Sequence, residues 1–218
     1  ENDVAVVVDA LTASVTVAAF LECGASSVKP VTEVPDELND GYLFAGEDHG
    51  ERIEGFDFGN SPTEVLENES IIKGKDIVLR TTNGTRCVGR VKGAGEAMMG
   101  SLVNIDPVVQ CCEEVCKDGT VWFMPAGRHG DQAPEDEYTV LRYIEKMKDR
   151  SHTVVGGAEE SGRSGFLERD ARRVFKNSDT GRFLRSKGYE DDIDFCSGTN
   201  RLSASPVLVD SSFVDAGT

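Results

Sequence analysis

The sequence predicts an α/β fold in which a mostly parallel sheet is covered by helices on both faces. Short apolar runs rich in β-branched residues alternate with segments of helical periodicity along most of the chain. The first run, Val4–Val8, is apolar at every position, which is typical of a strand buried on both faces. Alternation of strands and helices favours parallel pairing, because each parallel return needs a crossover connection.

The individual elements follow in order. Beyond the first run, we predict strands at 27–31, 42–45, 76–81, 96–100, 120–124 and 206–209. We predict helices at 12–23, 35–38, 85–91, 135–148, 166–175 and 180–187. One further helix has a clear start and end, since Asp106 can cap it, Pro107 fits its first position and Gly119 can end it. No linker or repeat divides the 218 residues, so we predict one domain over 1–218.

Composition narrows the class of partner. The chain has 39 Asp plus Glu against 23 Lys plus Arg, a formal net charge of −16, and no basic stripe, so nucleic acid is excluded as a partner. No apolar run is long enough for a membrane span. Six cysteines without a C-x-x-C pair favour a reducing, cytoplasmic location. The apolar residues 207–209 fit either the sheet or a subunit interface, which leaves a homodimer open.

Polar clusters follow four predicted strands. They lie at Asp9, at 46–48, at 81–86 and at 100–104. Ligands of parallel sheets bind beyond the carboxyl ends of the strands, so we expect these clusters to form one site. The chain shows no nucleophile–histidine arrangement of a hydrolase triad.

Two helix starts in the sequence suit an anion. The first follows a predicted strand and consists of Thr82, Asn83, Gly84, Thr85 and Arg86. Backbone N–H groups at a helix start bind phosphate, and an arginine adds a bidentate contact. The second contains Asn60 and Ser61, and Ser61 can cap the helix that opens at Pro62. Each segment also has the residues of an ordinary turn. The sequence therefore allows two interpretations of each, a binding site for a small anionic ligand or a turn.

Five carboxylates are candidate metal ligands or acid–base groups. They are Asp9, Glu47, Asp57, Glu135 and Asp136. A magnesium ion takes one or two such oxygens together with water and substrate phosphate. Four of the five have structural alternatives: Asp9 can cap a helix, Asp57 can bond its own loop, and Glu135 and Asp136 can complement a helix dipole.

Taken in order, these clusters resemble the 2-phosphosulfolactate phosphatase family. The resemblance rests on the runs 6–14, 46–47, 55–62, 81–86 and 100–104, and it extends to 126–128, 135–136 and 188–196. It implies a three-layer α/β/α fold with a subtle internal duplication. It also implies a magnesium-dependent phosphomonoester hydrolase that converts 2-phospho-3-sulfolactate to 3-sulfolactate and phosphate, a step towards coenzyme M.

The resemblance leads to a hypothesis for the site. Asp9, Glu47 and Asp57 position Mg²⁺, and Glu135 or Asp136 helps to activate water or to protonate the leaving oxygen. The phosphorylated substrate is held by Asn60, Ser61, Thr82, Asn83, Gly84, Thr85, Arg86 and Arg128. The chain departs from the family pattern at Thr12 and Asp48, where the family carries arginine, so Arg86, Arg128 or Arg52 must supply the positive charge.

Two other classes of protein remain open. A haloacid-dehalogenase-type phosphatase also places a nucleophilic Asp after its first strand, which gives Asp9 a covalent role. Leu11 stands where that class uses its general acid. A non-catalytic α/β module that binds an anionic metabolite is the other alternative.

Overall fold

A computed structural model describes residues 3–34, 41–81, 95–128, 130–149, 153–156 and 163–217. Ten strands in this part of the chain form one sheet. They are β1 (Val4–Val8), β2 (Ser27–Val31), β3 (Tyr42–Asp48), β4 (Glu51–Arg52), β5 (Asp76–Arg80), β6 (Glu96–Gly100), β7 (Thr120–Pro125), β8 (Thr153–Gly156), β9 (Pro206–Val209) and β10 (Ser212–Asp215).

The sheet contains two parallel groups of strands. Its order is β4-β3-β5-β2-β10-β9-β6-β1-β7-β8. Strands β3, β5 and β2 are parallel neighbours, as are β6, β1, β7 and β8. The antiparallel hairpin β9–β10 lies between the two groups and pairs antiparallel with β6 and β2. The predicted internal duplication stays a prediction.

Nine α-helices in the described part of the chain accompany the sheet. They are α1 (Ala13–Glu22), α2 (Pro62–Leu66), α3 (Glu69–Ile72), α4 (Ile105–Val115), α5 (Pro134–Met147), α6 (Arg163–Leu167), α7 (Ala171–Asn177), α8 (Asp179–Ser186) and α9 (Glu190–Cys196). None of them is both long enough and apolar enough to cross a membrane.

Strand β1 shows why the fold has three layers. All five of its residues are buried, and they alternate between two apolar cores. Ala5 and Val7 join the core that contains α1, whereas Val4, Val6 and Val8 join the core that contains α4 and α5. A strand with period-2 alternation presents apolar side chains to both faces only when helices cover both. The predicted α/β/α class is therefore confirmed.

Helix α4 begins differently from the prediction. A 3-10 helix, Leu102–Asn104, precedes it, and Ser101 and Asn104 form a capping box around that turn. Asp106 therefore lies inside the first turn of α4, where its carboxylate pairs with Lys146 instead of capping. The helix ends at Val115, so the prediction of an end at Gly119 was wrong.

The other elements agree with the sequence in most cases. The predicted strands are all present, and β3 extends to Asp48. The helix predicted at 166–175 is divided into α6 and α7, which are separated by residues 168–170. Strands β4, β8 and β10 and helices α3 and α9 were not predicted. The helices predicted at 35–38 and 85–91 lie outside the described residues.

Candidate active site

The carboxyl ends of several strands meet at a cavity of about 360 Å³. The loops after β1 and β7 and the ends of β3 and β5 contribute to it, together with α8. The described lining residues are Asp9, Leu11, Thr12, Glu47, Asp48, His49, Gly50, Asn60, Arg80, Thr81, Arg128, Thr180, Phe183, Leu184 and Tyr189. This is the position that the topology of a parallel sheet predicts for a ligand site.

One side of the cavity, which we call the inner wall, consists of Asp9, Thr12, Asn60 and Arg128. Asp9 is only 8% exposed. Its backbone N–H donates to Ser14 Oγ at 2.9 Å, and the Ser14 N–H donates back to the Asp9 carbonyl at 3.0 Å. The Thr12 hydroxyl donates to the Asn60 carbonyl at 2.6 Å. Local hydrogen bonds therefore fix the backbone that carries these side chains.

A buried carboxylate behind the inner wall joins its two loops. Asp136 Oδ1 accepts from the Ala10 N–H at 2.7 Å, and Oδ2 accepts from the Gly127 N–H at 2.9 Å. Burial raises the pKa of Asp136 well above its ordinary value, and the charges of Asp9 and Glu135 raise it further. The two N–H bonds oppose this shift. Asp136 thus fixes the position of Asp9 relative to that of Arg128.

The loop after β7 holds Arg128 in a tight turn. The backbone groups of Arg128 and Asp131 exchange two hydrogen bonds of 2.9 Å. Gly127 has a φ of 68°, and a Cβ there would lie 2.4 Å from the Asp131 carbonyl oxygen, so the turn requires glycine. The Arg128 guanidinium lies 5.2 Å from the centre of the Phe183 ring, a cation–π distance.

A second group of lining residues, which we call the outer wall, consists of Glu47, Asp48 and Arg80. Arg80 donates to the Glu47 carbonyl, and its guanidinium lies 3.5 Å from Asp48 Oδ1. Glu47 Oε2 accepts from the Gly50 N–H at 2.8 Å. A Cβ at Gly46 would lie 2.6 Å from the Arg80 carbonyl oxygen, so glycine permits the close approach of β3 to β5. The side chain of Asp48 is 62% exposed, so the outer wall is in contact with solvent there, unlike the inner wall at Asp9.

The structure places the predicted site residues in three groups. Asp9, Glu47, Asn60 and Arg128 line the cavity. Glu135 lines an adjoining cavity of about 310 Å³, which we call the side chamber. Asp57, Ser61 and Asp136 are not among the described residues that line either one. The predicted phosphate cradle of Thr82, Asn83, Gly84, Thr85 and Arg86 lies outside the described residues.

Asp57 and Ser61 have structural contacts instead. Asp57 Oδ2 accepts from the Phe44 N–H at 2.8 Å. Ser61 caps α2 by accepting from the Glu64 N–H at 3.2 Å, and its hydroxyl donates to Asp192 Oδ1 at 2.9 Å. Arg52, an expected source of positive charge, instead donates to the Asp57 carbonyl at 2.7 Å.

The donor set for a metal ion is small. Among the residues that the structure describes, no group of three or more His, Cys, Asp or Glu side chains is placed to hold one. Asn60 Oδ1 is buried and has no hydrogen-bond partner within the same part of the chain. It lines the cavity together with the carboxylates of Asp9 and Glu47. Magnesium needs only one or two carboxylates beside water and substrate oxygens, so these residues fit it.

Sequence reasoning missed the part of the cavity that the C-terminal helices form. Thr180, Phe183 and Tyr189 belong to or follow α8 and carry no local signal of a site. Arg80 was predicted only as part of a strand. A charged residue that ends a buried apolar strand at the ligand edge of the sheet was a signal that could have identified it.

Comparison with known proteins assigns the family. The family model for 2-phosphosulpholactate phosphatase matches residues 1–211. The chain belongs to this family. It is 34% identical over 214 residues to the "Probable 2-phosphosulfolactate phosphatase" of Caldanaerobacter subterraneus subsp. tengcongensis, which covers 93% of this chain and 86% of the relative. It is 32% identical over 211 residues to the 2-phosphosulfolactate phosphatase of Methanocaldococcus jannaschii, with 93% and 88% covered.

Membership of this family confirms the predicted resemblance and the prediction of a phosphatase. The structure adds that Thr12 and Asp48, the two positions where the resemblance implies arginine, both line the cavity. Each wall therefore has a neutral or acidic side chain where we expected an arginine, and the described cations of the cavity include Arg80 and Arg128.

Proposed function

We propose that the chain is a magnesium-dependent phosphomonoester hydrolase that converts 2-phospho-3-sulfolactate to 3-sulfolactate and phosphate, a step towards coenzyme M. The observation that carries the proposal is the meeting of Asp9, Asn60 and Arg128 in one cavity of a chain of this family. A buried carboxylate, a buried amide oxygen and a guanidinium are the groups that bind a metal-complexed phosphate.

The charges of the cavity support a substrate with several anionic groups. A sulfolactate phosphate carries a phosphate, a carboxylate and a sulfonate. Arg128 on the inner wall and Arg80 on the outer wall offer guanidinium groups from two sides. Arg80 Nε is buried and has no acceptor among the described residues. An anionic substrate group would satisfy this donor, since buried donors in proteins are normally paired.

We propose that Asp9, Glu47 and Asn60 hold Mg²⁺. When bound, the ion supplies neutralisation of the phosphoryl oxygens and of the leaving alkoxide. Asn60 takes the place that the sequence hypothesis gave to Asp57, because an Asp57 oxygen is already bonded to the backbone of β3. The inner wall orients the phosphate towards Arg128, and the apolar side chains of Leu11 and Phe183 limit the access of bulk water.

The proposal is tested by phosphate release from 2-phospho-3-sulfolactate in Mg²⁺ and in EDTA. A matched substrate is 2-phospholactate, which lacks the sulfonate. We expect phosphate release to require Mg²⁺. At low substrate concentration, release should be faster from 2-phospho-3-sulfolactate than from 2-phospholactate. Release from neither ester in Mg²⁺ would contradict the proposal.

The same assay separates the two alternative classes. Tight binding of the sulfonated ester without release would favour a non-catalytic module. A phosphoryl group trapped on Asp9 would favour the haloacid-dehalogenase-type mechanism. The cavity argues against that mechanism, since Leu11 brings an apolar side chain to the place of its general acid.

A further inference from the structure

The side chamber lies beside the main cavity. Arg128 and Thr180 line both spaces and therefore lie between them. The chamber lies at the start of α5, where Ala133, Pro134 and Glu135 contribute to its lining. Its volume of about 310 Å³ is large enough for several water molecules.

Glu135, which lines this chamber, has a buried acceptor atom without a partner among the described residues. The residue is 2% exposed, and its Oε2 is buried with no hydrogen-bond partner among the described residues. A buried carboxylate oxygen without a donor is costly, so native proteins normally supply a protein donor or an ordered water. Here the adjoining chamber provides space for water.

The neighbouring acid, Asp136, differs in this respect. Both of its oxygens accept backbone N–H groups, from Ala10 and from Gly127. It is not among the described residues that line the main cavity or the side chamber. Of the two adjacent acids, only Glu135 therefore combines an oxygen without a partner among the described residues with a place in the lining of a chamber beside the main cavity.

We propose that Glu135 is the catalytic residue that holds and deprotonates the hydrolytic water, whereas Asp136 is a positioning residue. This inference rests on the proposed hydrolase function. The water oxygen forms a bond to phosphorus while Glu135 Oε2 takes one of its protons. The ester P–O bond breaks, its electron pair leaves with the sulfolactate alkoxide, and the alkoxide takes a proton from solvent. Glu135 then returns its proton to solvent.

The test compares Glu135→Gln with the matched control Glu137→Gln, which lies in the same first turn of α5 and outside the described lining of both cavities. Because a general base contributes about 100-fold or more, we expect kcat of Glu135→Gln to fall by at least that factor. Its KM and melting temperature should match those of the control. A kcat near that of the wild type, or a raised KM with unchanged kcat, would overturn the inference.

Chemical rescue distinguishes a base from a structural residue. In Glu135→Ala the missing carboxylate leaves room for formate, and we expect formate to restore turnover in proportion to its concentration. Folded Glu135→Ala that formate does not rescue would overturn the inference. A wild-type crystal structure should show a water within hydrogen-bond distance of Oε2, and a protein donor there instead would also overturn it.

The assay also separates this inference from the function on which it rests. Wild-type protein that releases no phosphate refutes both. Wild-type release together with full activity of Glu135→Gln refutes only the role of Glu135.

Discussion

The two walls of the cavity differ in how their charged side chains are held. On the inner wall, Asp9 is buried, and the backbone around it is bonded to Ser14 and Asp136. On the outer wall, Asp48 and Arg80 form an ion pair that water reaches. Buried groups held by the backbone can stabilise a transition state well, because they do not have to move when its charge develops. Solvated ion pairs contribute little free energy, so their residues can be substituted at small cost. We infer that the inner wall, together with the proposed metal ligand Glu47, performs the reaction, and that Asp48 and Arg80 of the outer wall adjust substrate preference.

The largest effect is expected at Asp9. Asp9→Asn keeps the size of the side chain but removes a proposed metal ligand. A loss of about 4 kcal/mol of transition-state stabilisation corresponds to a kcat about 1,000-fold lower. The melting temperature should be unchanged or higher, because the variant also removes a negative charge beside Asp136. Phosphate release and thermal unfolding measure the two quantities, and near-normal turnover would remove Asp9 from the mechanism.

Arg128 is expected to affect substrate binding. Arg128→Ala removes the guanidinium from the inner wall, and a hydrogen bond to a charged group is worth about 1.5–3 kcal/mol. We therefore expect KM to rise about 10- to 100-fold. Arg142→Ala is the matched control, since Arg142 is partly exposed on α5 and its salt bridge in the described part of the chain is with Glu145. Equal KM values for the two variants would show that Arg128 does not bind the substrate.

Asp136 is expected to make stability depend on pH. Its raised pKa means that the folded protein keeps a proton that the unfolded chain releases above about pH 4. The free energy of unfolding therefore falls as pH rises from that point towards the folded pKa. In Asp136→Asn this fall should be smaller, as measured by denaturant unfolding in EDTA at several pH values. Identical pH dependence in the two proteins would contradict the burial of an acid at this position.

A substitution of Ser61 tests whether this residue has a structural role or binds the substrate. Ser61→Ala removes the cap of α2 and the bond to Asp192, so we expect a loss of about 1 kcal/mol in unfolding free energy. KM for the ester should stay unchanged, because Ser61 is not among the described residues that line the cavity. A raised KM with normal stability would restore the substrate role that the sequence suggested.

The smallest effect is expected on the outer wall. Asp48→Arg introduces the arginine that the resemblance implies at this position and removes the ion pair with Arg80. Exposed charges contribute about 1 kcal/mol or less, so KM should fall by no more than about fivefold and the gain should weaken at high salt. Asp48→Asn, which only removes the negative charge, should give a smaller change. A larger effect on kcat than on KM would contradict the division of roles between the walls.

The fold was predictable because its signal is local. The apolar run Val4–Val8 and the alternation that follows it identified the buried strands and the layers. The hairpin β9–β10 was missed in part because Ser212–Asp215 has only four residues, two of them apolar, which is too short for a clear alternating pattern. The end of α4 was wrong because the chain leaves the helix at Cys116, before the glycine.

The candidate site was predictable only where residues follow strands. The position of Asp9 after a buried strand placed it at the ligand edge, and the structure puts it in the cavity. Phe183 and Tyr189 reach the same cavity from distant C-terminal segments, and no spacing in the sequence encodes that contact. Glu135 and Asp136 are adjacent and alike in sequence, yet their hydrogen bonds differ, which only the folded chain reveals.

The central claim, that this cavity is the place of phosphate transfer to water, is tested most directly by a crystal structure with Mg²⁺, phosphate and 3-sulfolactate. The account predicts phosphate within hydrogen-bond distance of the Arg128 guanidinium, and the metal ion bound by Asp9. Products bound elsewhere on the protein, with Asp9 and Arg128 contacting neither, would contradict it.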